Sequence, residues 1–433
     1  MGAQTANPTD AWAIYYNIGG LSAAPPGFSV GGFATHNNAQ ILLQARPAGY
    51  DVPDLDGGFS SLPTSREPNA RADSDELPAI YALTFSGVTS LGIERLRLGF
   101  IALVPTTELL ELNTHFVDER ERRSSNRLHF EFIDGQTRRF AAEAGVSYRA
   151  ADWISVGIGG TFLTGAQVGT DVFLADPTDQ SSVDINARVS TSNRWGLLAG
   201  TTISLPYKIK LGLSYRGPVS FRIQGANELL VAGASDTERQ SIDWTPKYSP
   251  GVLALGTSVT LGDYELAADA RWVRWSDYRD TQSQRPEFRD TLAGRLGLEY
   301  TSSPDSKLRA GLGFEPSGVP DQTGRTNYVD NSRVLSSFGS SHQLLVAGLG
   351  IEWSWFLQFQ WLMERRTTKA ELETYESCAA GVVSICDEVP DSLVNPQTGL
   401  PYPEAQGLQT GNPGFPGFVS GGWIGALGME VRF

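Results

Sequence analysis

The sequence predicts an all-β protein, a transmembrane antiparallel β-barrel of about fourteen strands with a short N-terminal plug. Three observations carry this expectation. Residues 207–224 alternate almost without error: Tyr207, Ile209, Leu211, Leu213, Tyr215, Val219, Phe221 and Ile223 lie on one face, and Lys208, Lys210, Ser214, Arg216, Ser220, Arg222 and Gln224 on the other. That run far exceeds the ~5–6 residues usual for a globular strand. The connections between such runs are alternately minimal and long, the asymmetry of barrels with short turns at one end and long loops at the other. The chain closes on GALGMEVRF, in which Leu427, Met429, Val431 and Phe433 oppose Glu430 and Arg432. A strand with one apolar and one charged face needs two different solvents.

Composition permits the same architecture. No segment reaches the ~18 uninterrupted apolar residues of a spanning helix, and mean hydropathy is −0.20. In a barrel, lipid-facing and lumen-facing residues alternate and cancel in any long window. The 47 glycines, 14 tyrosines and 10 tryptophans beside only 3 methionines fit a barrel better than a helical enzyme. A net charge of −14 argues against nucleic acid as a partner.

Taken in order, residues 1–28 form the plug and 29–433 the barrel. Met1–Ala6 has neither a positive n-region nor an apolar h-region, so part of the plug sequence is expected to precede this start. Strands are expected at 29–46, 77–89, 92–116, 127–150, 153–174, 185–206, 207–232, 241–262, 263–283, 287–304, 306–320, 341–355, 356–378 and 421–433. Minimal turns fall around Ser90, Asp152, Pro206, Gly262, Asp305 and Trp355, whereas 47–76, 321–340 and 379–420 read as long loops rich in Pro, Gly, Ser and Asp. Polar faces mix both signs, as in Glu265, Asp269 and Arg271, or Arg309 and Glu315, which suits a lumen closed by ion pairs. Pro218 is expected only to taper the seventh strand. The last strand, Trp423 to Phe433, should pair with the first so that no edge remains in lipid.

Cys378 and Cys386 bracket seven residues at the start of the longest loop. An oxidising compartment would let them form a disulfide, the alternative being two free thiols. His36, His115, His129 and His342 are scattered and sit in no catalytic motif. The expectation is therefore no enzyme, no metal site and no cofactor.

The amino terminus, PTDAWAIYYNIGGLSA, is too apolar for a free tail. Its Asp10, Ala11, Ala13, Tyr15, Tyr16, Asn17, Gly20 and Leu21 resemble the plug signature of the FadL family of outer-membrane long-chain fatty acid and hydrophobic-compound transporters. Asn17-Ile18-Gly19 stands where that family usually has Asn-Pro-Ala. Further matches follow in order: NRWGLLAG at 193–200 with LGLSYRGPVSFRIQG, then WVRWSDYRD, FRDTLAGRLGLEY and LRAGLGFEPSGVPD, the last two the most specific.

The resemblance implies a plugged fourteen-stranded barrel in the bacterial outer membrane, passive uptake of hydrophobic small molecules (fatty acids or hydrocarbons), and sideways release at a kinked third strand. In RLRLGFIALVPTTELLEL that places the lateral gate at Pro105, which cannot donate to the ladder; the plainer reading is that Pro105 tapers the strand. Arg285 and Arg289 in RPEFRD are the candidates for a ligand head group, or else rim residues paired with acids or lipopolysaccharide. The family's fifth-strand arginine is missing from TFLTGAQVGTDVFL, and the third loop, 175–184, is short, which shifts weight from fatty acids toward neutral hydrophobes. Arg120, Arg122, Arg123 and Arg127 suit lipopolysaccharide phosphates. A monomer is expected. The competing reading is a non-transporting outer-membrane barrel whose long loops bind a partner protein.

Overall fold

A computed structural model describes residues 3–43, 79–106, 130, 140–174, 183–231, 238–280, 283, 285–322, 328–346, 349–368 and 417–433. Cys378, Cys386, the arginines at 120–127, the loop 47–76 and all of the loop 379–420 but its last four residues, which open the final strand, lie outside these residues.

The alternating runs become sixteen strands of one sheet. They are β1 Gly27–Leu43, β2 Tyr81–Thr89, β3 Leu96–Pro105, β4 Ala141–Ala151, β5 Ile154–Leu174, β6 Val183–Leu205, β7 Ile209–Arg216, β8 Val219–Val231, β9 Glu238–Ser249, β10 Gly251–Leu261, β11 Tyr264–Arg274, β12 Thr291–Ser303, β13 Ser306–Glu315, β14 Arg333–Val346, β15 Leu349–Thr368 and β16 Gly417–Arg432. Fourteen of them, all but β8 and β9, close an antiparallel ring. Closure is made by β16, which pairs with β1 from Ser29↔Arg432 to Leu43↔Phe418 and with β15 on its other side. Phe433 completes the seam by exchanging backbone hydrogen bonds with Phe28, so the last strand closes the ring as its alternation foretells.

The outer face is an apolar band, with Leu255, Leu292, Leu296 and Leu312 each exposed by 60% or more. Such exposure is unfavourable in water and suits lipid. Aromatic residues flank the band: Trp153, Tyr207, Tyr264 and Tyr300 near the short turns, and Tyr81, Trp195, Tyr215, Trp272 and Trp361 toward the long loops. Amphipathic rings favour these interfacial levels.

Two expected boundaries are corrected. The loop expected at 321–340 ends earlier, because β14 starts at Arg333. Its serines and glycine suggest a loop by composition, yet Val334 and Phe338 are lipid-exposed while Leu335 is buried, the alternation of a strand. The turn expected at Trp355 is instead mid-strand, paired with Ser340 and Met429; β14 ends at Val346 and β15 begins at Leu349.

Pro218 does more than taper its strand. The runs expected at 207–232 and 241–262 are each split, by Gly217-Pro218 between β7 and β8 and by Pro250 between β9 and β10. Below the split, β7 and β10 are ring strands; above it, β8 and β9 form a hairpin that pairs in parallel with β5.

Candidate functional site

The lumen is occupied from the amino terminus. A one-turn helix α1, Ala13–Tyr16, leads into a 3₁₀ turn, Ile18–Ala23. Ala13, Ile14, Ile18 and Leu21 are buried against Val88, Ile101 and Leu198 of the wall. Asn17, fully buried, satisfies its whole amide: Nδ2 donates to the carbonyls of Thr5 (2.7 Å) and Thr201 (2.9 Å), and Oδ1 accepts from Gly19 N. The close fit needs small residues on the facing wall. A Cβ on Gly200 would lie 2.1 Å from Asn17 Oδ1, and one on Gly159 would lie 2.7 Å from Ile18 Cδ1.

Charged wall residues pin the rest. Asp269 accepts from the backbone of Gln4 and Thr5 and from the Thr5 hydroxyl, while Asn7 bridges Glu265 and Lys210. The Asp10 carboxylate accepts from Trp12 N, and Trp12 Nε1 donates to Glu430 at 2.8 Å. Burial pushes the Asp10 carboxyl above its ordinary range, against the pull of the Trp12 amide, and pushes the Tyr16 hydroxyl up to about 12. Arg97 and Arg149 donate to the carbonyls of Ala24 and Ser22 where the plug leaves for β1.

Above the plug lies a cavity of about 820 Å³, within the usual range of ligand sites. Trp12, Tyr15 and Tyr16 form its floor, and Phe33, Phe356, Leu163 and Trp275 supply apolar wall. Its distinctive feature is cationic. Glu315 at the end of β13 pairs with Arg295 of β12, with Arg333 of β14 at 3.0 Å and with Arg271 of β11 at 3.8 Å. Three guanidinium groups thus share one carboxylate, and each keeps about a fifth of its surface open. Beside them Arg216 of β7 pairs with Glu143 of β4, donates to the Tyr15 carbonyl at 2.7 Å and lies 4.4 Å from the Tyr15 ring centroid. Four arginines thus gather around two glutamates, with Asp10, Asp330, Glu430 and Arg309 elsewhere in the lining.

Toward the long loops, Tyr248, Tyr278, Phe288, Val319 and Tyr328 form a second core, with Tyr278 stacked on Phe288 at 4.7 Å. Tyr328 donates to Asp280, and Asn331 donates to the carbonyls of Met363 and Ser420. Burial pushes the Asp330 carboxyl up to about 6, despite the attraction of Arg333.

Asp10, Tyr15 and Tyr16, singled out in the sequence, line the cavity from the plug, whereas Asn17 is buried between Thr5 of the plug and Thr201 of β6. Arg285 and Arg289 do not join them: both are exposed in the β11–β12 connection and neither lines the cavity. Pro105 ends β3 opposite Ala82; the ladder to β2 spans Leu98–Pro105 and the ladder to β4 spans Leu96–Leu103, each without a register shift. The cations that do face the cavity were visible only as the polar half of an alternation. The usable signal was positional: Arg271, Arg295 and Glu315 each stand within a few residues of the long-loop end of their strands.

A membrane barrel closed at one end by its own amino terminus, with a lined cavity behind the closure, is the architecture of a plugged channel rather than of an open pore. Residues 133–347 match the family model for outer membrane protein transport proteins (OMPP1/FadL/TodX), and the chain is a FadL-like barrel of the outer membrane. Among solved structures it is similar to a Pseudomonas aeruginosa FadL homologue, with 12% identity, a TM-score of 0.57 and coverage of 99% of this chain and 96% of that one. It is also similar to the ΔS2S3 mutant of the monoaromatic hydrocarbon channel TodX (13%, 0.54, 100% and 97%) and to the Pseudomonas putida toluene transporter TodX (13%, 0.50, 99% and 95%). At these identities the likeness is one of fold. No curated protein sequence matches the chain significantly.

Proposed function

We propose that the protein takes up hydrophobic small molecules that carry an anionic head group, a fatty acid being the simplest. The observation that carries this reading is the sharing of Glu315 by Arg271, Arg295 and Arg333 at the edge of an aromatic-walled cavity. Arg271, 3.8 Å from the shared carboxylate, is beyond hydrogen-bond reach of it and offers its donors to a ligand. The apolar tail would lie along Phe33, Phe356 and Leu163. With the plug seated below, an apolar solute has no aqueous route onward and leaves sideways into lipid. The cavity meets the wall at Ile101, Ala102, Leu103 and Ala141, where β4 stops pairing with β3 just short of Pro105, and this supports release there. The TodX structures favour a second reading, since TodX is a monoaromatic hydrocarbon channel and toluene transporter, and such ligands need no cation.

Binding of palmitate and of toluene to the purified barrel, with and without Arg271→Gln, separates the two. A charge-assisted hydrogen bond contributes about 1.5–3 kcal/mol, so palmitate should weaken by about ten- to a hundredfold while toluene changes less than about twofold. Equal affinity of both barrels for palmitate sinks the head-group assignment. Toluene binding with no palmitate binding selects the hydrocarbon reading.

A further inference from the structure

We propose that the β8–β9 hairpin is a hinged flap that covers the edge of β5 beyond its pairing with β4, and that it swings away from β5 to open the cavity. The inference rests on the uptake reading above.

The covered edge follows from the ladders among the described residues. β5 runs from Ile154 to Leu174, but β4 pairs with it only as far as Ala141↔Leu163. From Ala166↔Ile223 to Leu174↔Val231 the same edge is taken by β8, in parallel. To reach it, the chain leaves β7 and crosses the lumenal face of β6. Val219 lies over Gly196, where a Cβ would be 2.4 Å from Val219 Cγ2, while the neighbours Trp195 and Leu197 face outward, 69% and 51% exposed. The edge of β5 is thus covered by a segment from two strands away, by way of the lumen.

The hinge is built into both arms at one level. Arg216 pairs with Val252 below it and Val219 with Ser249 above it, so Gly217-Pro218 faces Pro250. Neither proline can donate to a ladder, and a paired break joins the hairpin to β7 and β10 by two backbone spans alone, leaving the β5 ladder as its sheet contact with the ring. The pivot itself is fixed, because Arg216 is held by Glu143 of β4 and by the Tyr15 carbonyl of the plug. The flap above it is held by Gln224, which accepts from Arg194 at 3.3 Å, by Thr245, which bonds Ser283 at 2.8 Å, and next to the pivot by Tyr248, packed edge-on against Tyr278. Parallel pairing is slightly weaker per residue than antiparallel. Gly217, Val219, Ser249 and Pro250 line the cavity directly, so displacement of the flap exposes it.

The register supplies the test. Asn186, Asp171, Glu228 and Arg239 lie in one row across β6, β5, β8 and β9. Spin labels on Asn186→Cys and Arg239→Cys, with Cys378 and Cys386 changed to serine, should stand about three strand spacings apart at the backbone, ~14 Å, when the flap is closed. The expected result is that short distance alone in the empty barrel and a second, longer population when palmitate is added. One unchanged short distance at saturating palmitate overturns the proposal. In the same serine background, a disulfide between Gln167→Cys and Gln224→Cys, neighbours in the β5–β8 ladder, should cut palmitate uptake into liposomes at least tenfold, with recovery on reduction. Uptake unaffected by the lock removes the flap as a gate. Spin-label opening with no uptake by either locked or reduced barrel keeps the flap and removes the uptake reading.

Discussion

The two sides of the lumen wall are built from different residues, and the difference decides where the plug rests and where space is left. On β4 to β6 the inward positions opposite the plug are small: Gly145, Gly157, Gly159 and Gly200 let Ile18 and Asn17 approach to backbone contact. On β11 to β14 the inward positions carry Arg271, Arg295, Glu315 and Arg333, long side chains that hold one another by charge and leave a cavity in front of them. The first side is dry and packed, and its stability comes from burial and satisfied hydrogen bonds. The second is polar and only partly compensated, which costs stability and provides a site. The same alternating pattern generates both, so it is the size of the inward residue, not the strand itself, that separates floor from pocket.

The comparison breaks most severely at Glu315. Glu315→Gln leaves three arginines facing each other without their shared carboxylate, and breaking a buried pair of this kind costs about 3–5 kcal/mol. The temperature at which the barrel unfolds, read by its heat-dependent mobility on gels, should fall clearly, while the plug side keeps its protection from hydrogen exchange. An unchanged unfolding temperature would show that the arginines do not depend on Glu315.

Next in size is Asp330, above the same side. Its folded carboxyl titrates at about 6 against an ordinary 3.8, so between those values the folded state binds the extra proton and stability falls as pH rises. The full penalty, at most about 3 kcal/mol, is present above pH 6 and absent below 3.8. Asp330→Asn should therefore stabilise the β13–β14 connection at pH 7.5 and change nothing at pH 3.5, as measured by denaturant unfolding at the two pH values. Destabilisation at pH 7.5 would mean that the carboxylate is ionised and needed.

The smallest effect, and the sharpest probe of the packed side, is Asn17→Ala. It removes the donors to the Thr5 and Thr201 carbonyls and the acceptor of Gly19 N, at about 1–3 kcal/mol for the buried groups left unmatched. The expected outcome is loss of the seated plug with the barrel intact, seen as increased ion conductance in planar bilayers and an unchanged unfolding temperature. Conductance equal to that of the unaltered protein would assign the seat to Ile18 and the glycines alone.

Much of this was legible in the chain. The two-sided runs, the short turns at Asp152, Pro206 and Gly262 and the closing strand all fall where local pattern puts them, whereas Asp10, Tyr15, Tyr16 and Asn17 were singled out by resemblance. The turn misplaced to Trp355 and the start misplaced to 341 for β14, which begins at Arg333, arose where serine and glycine imitate loop composition inside a ladder. Pro218 announced a break, but not what the chain does after it.

What the sequence determined by itself is which face of each strand meets lipid and which meets the lumen, because side-chain direction in a strand has period 2 and is fixed locally. What only the tertiary structure decided is which lumenal residues meet. Arg216, Arg271, Arg295 and Arg333 come from four strands spread over more than a quarter of the chain, and ring order and strand stagger gather them around Glu143 and Glu315 beside Tyr15. Arg285 and Arg289, equally cationic in sequence, stay exposed in a connection. The path of β8 across β6 to the edge of β5 is likewise a property of the closed ring, since it depends on how far β4 extends beside β5 and no local pattern records that length.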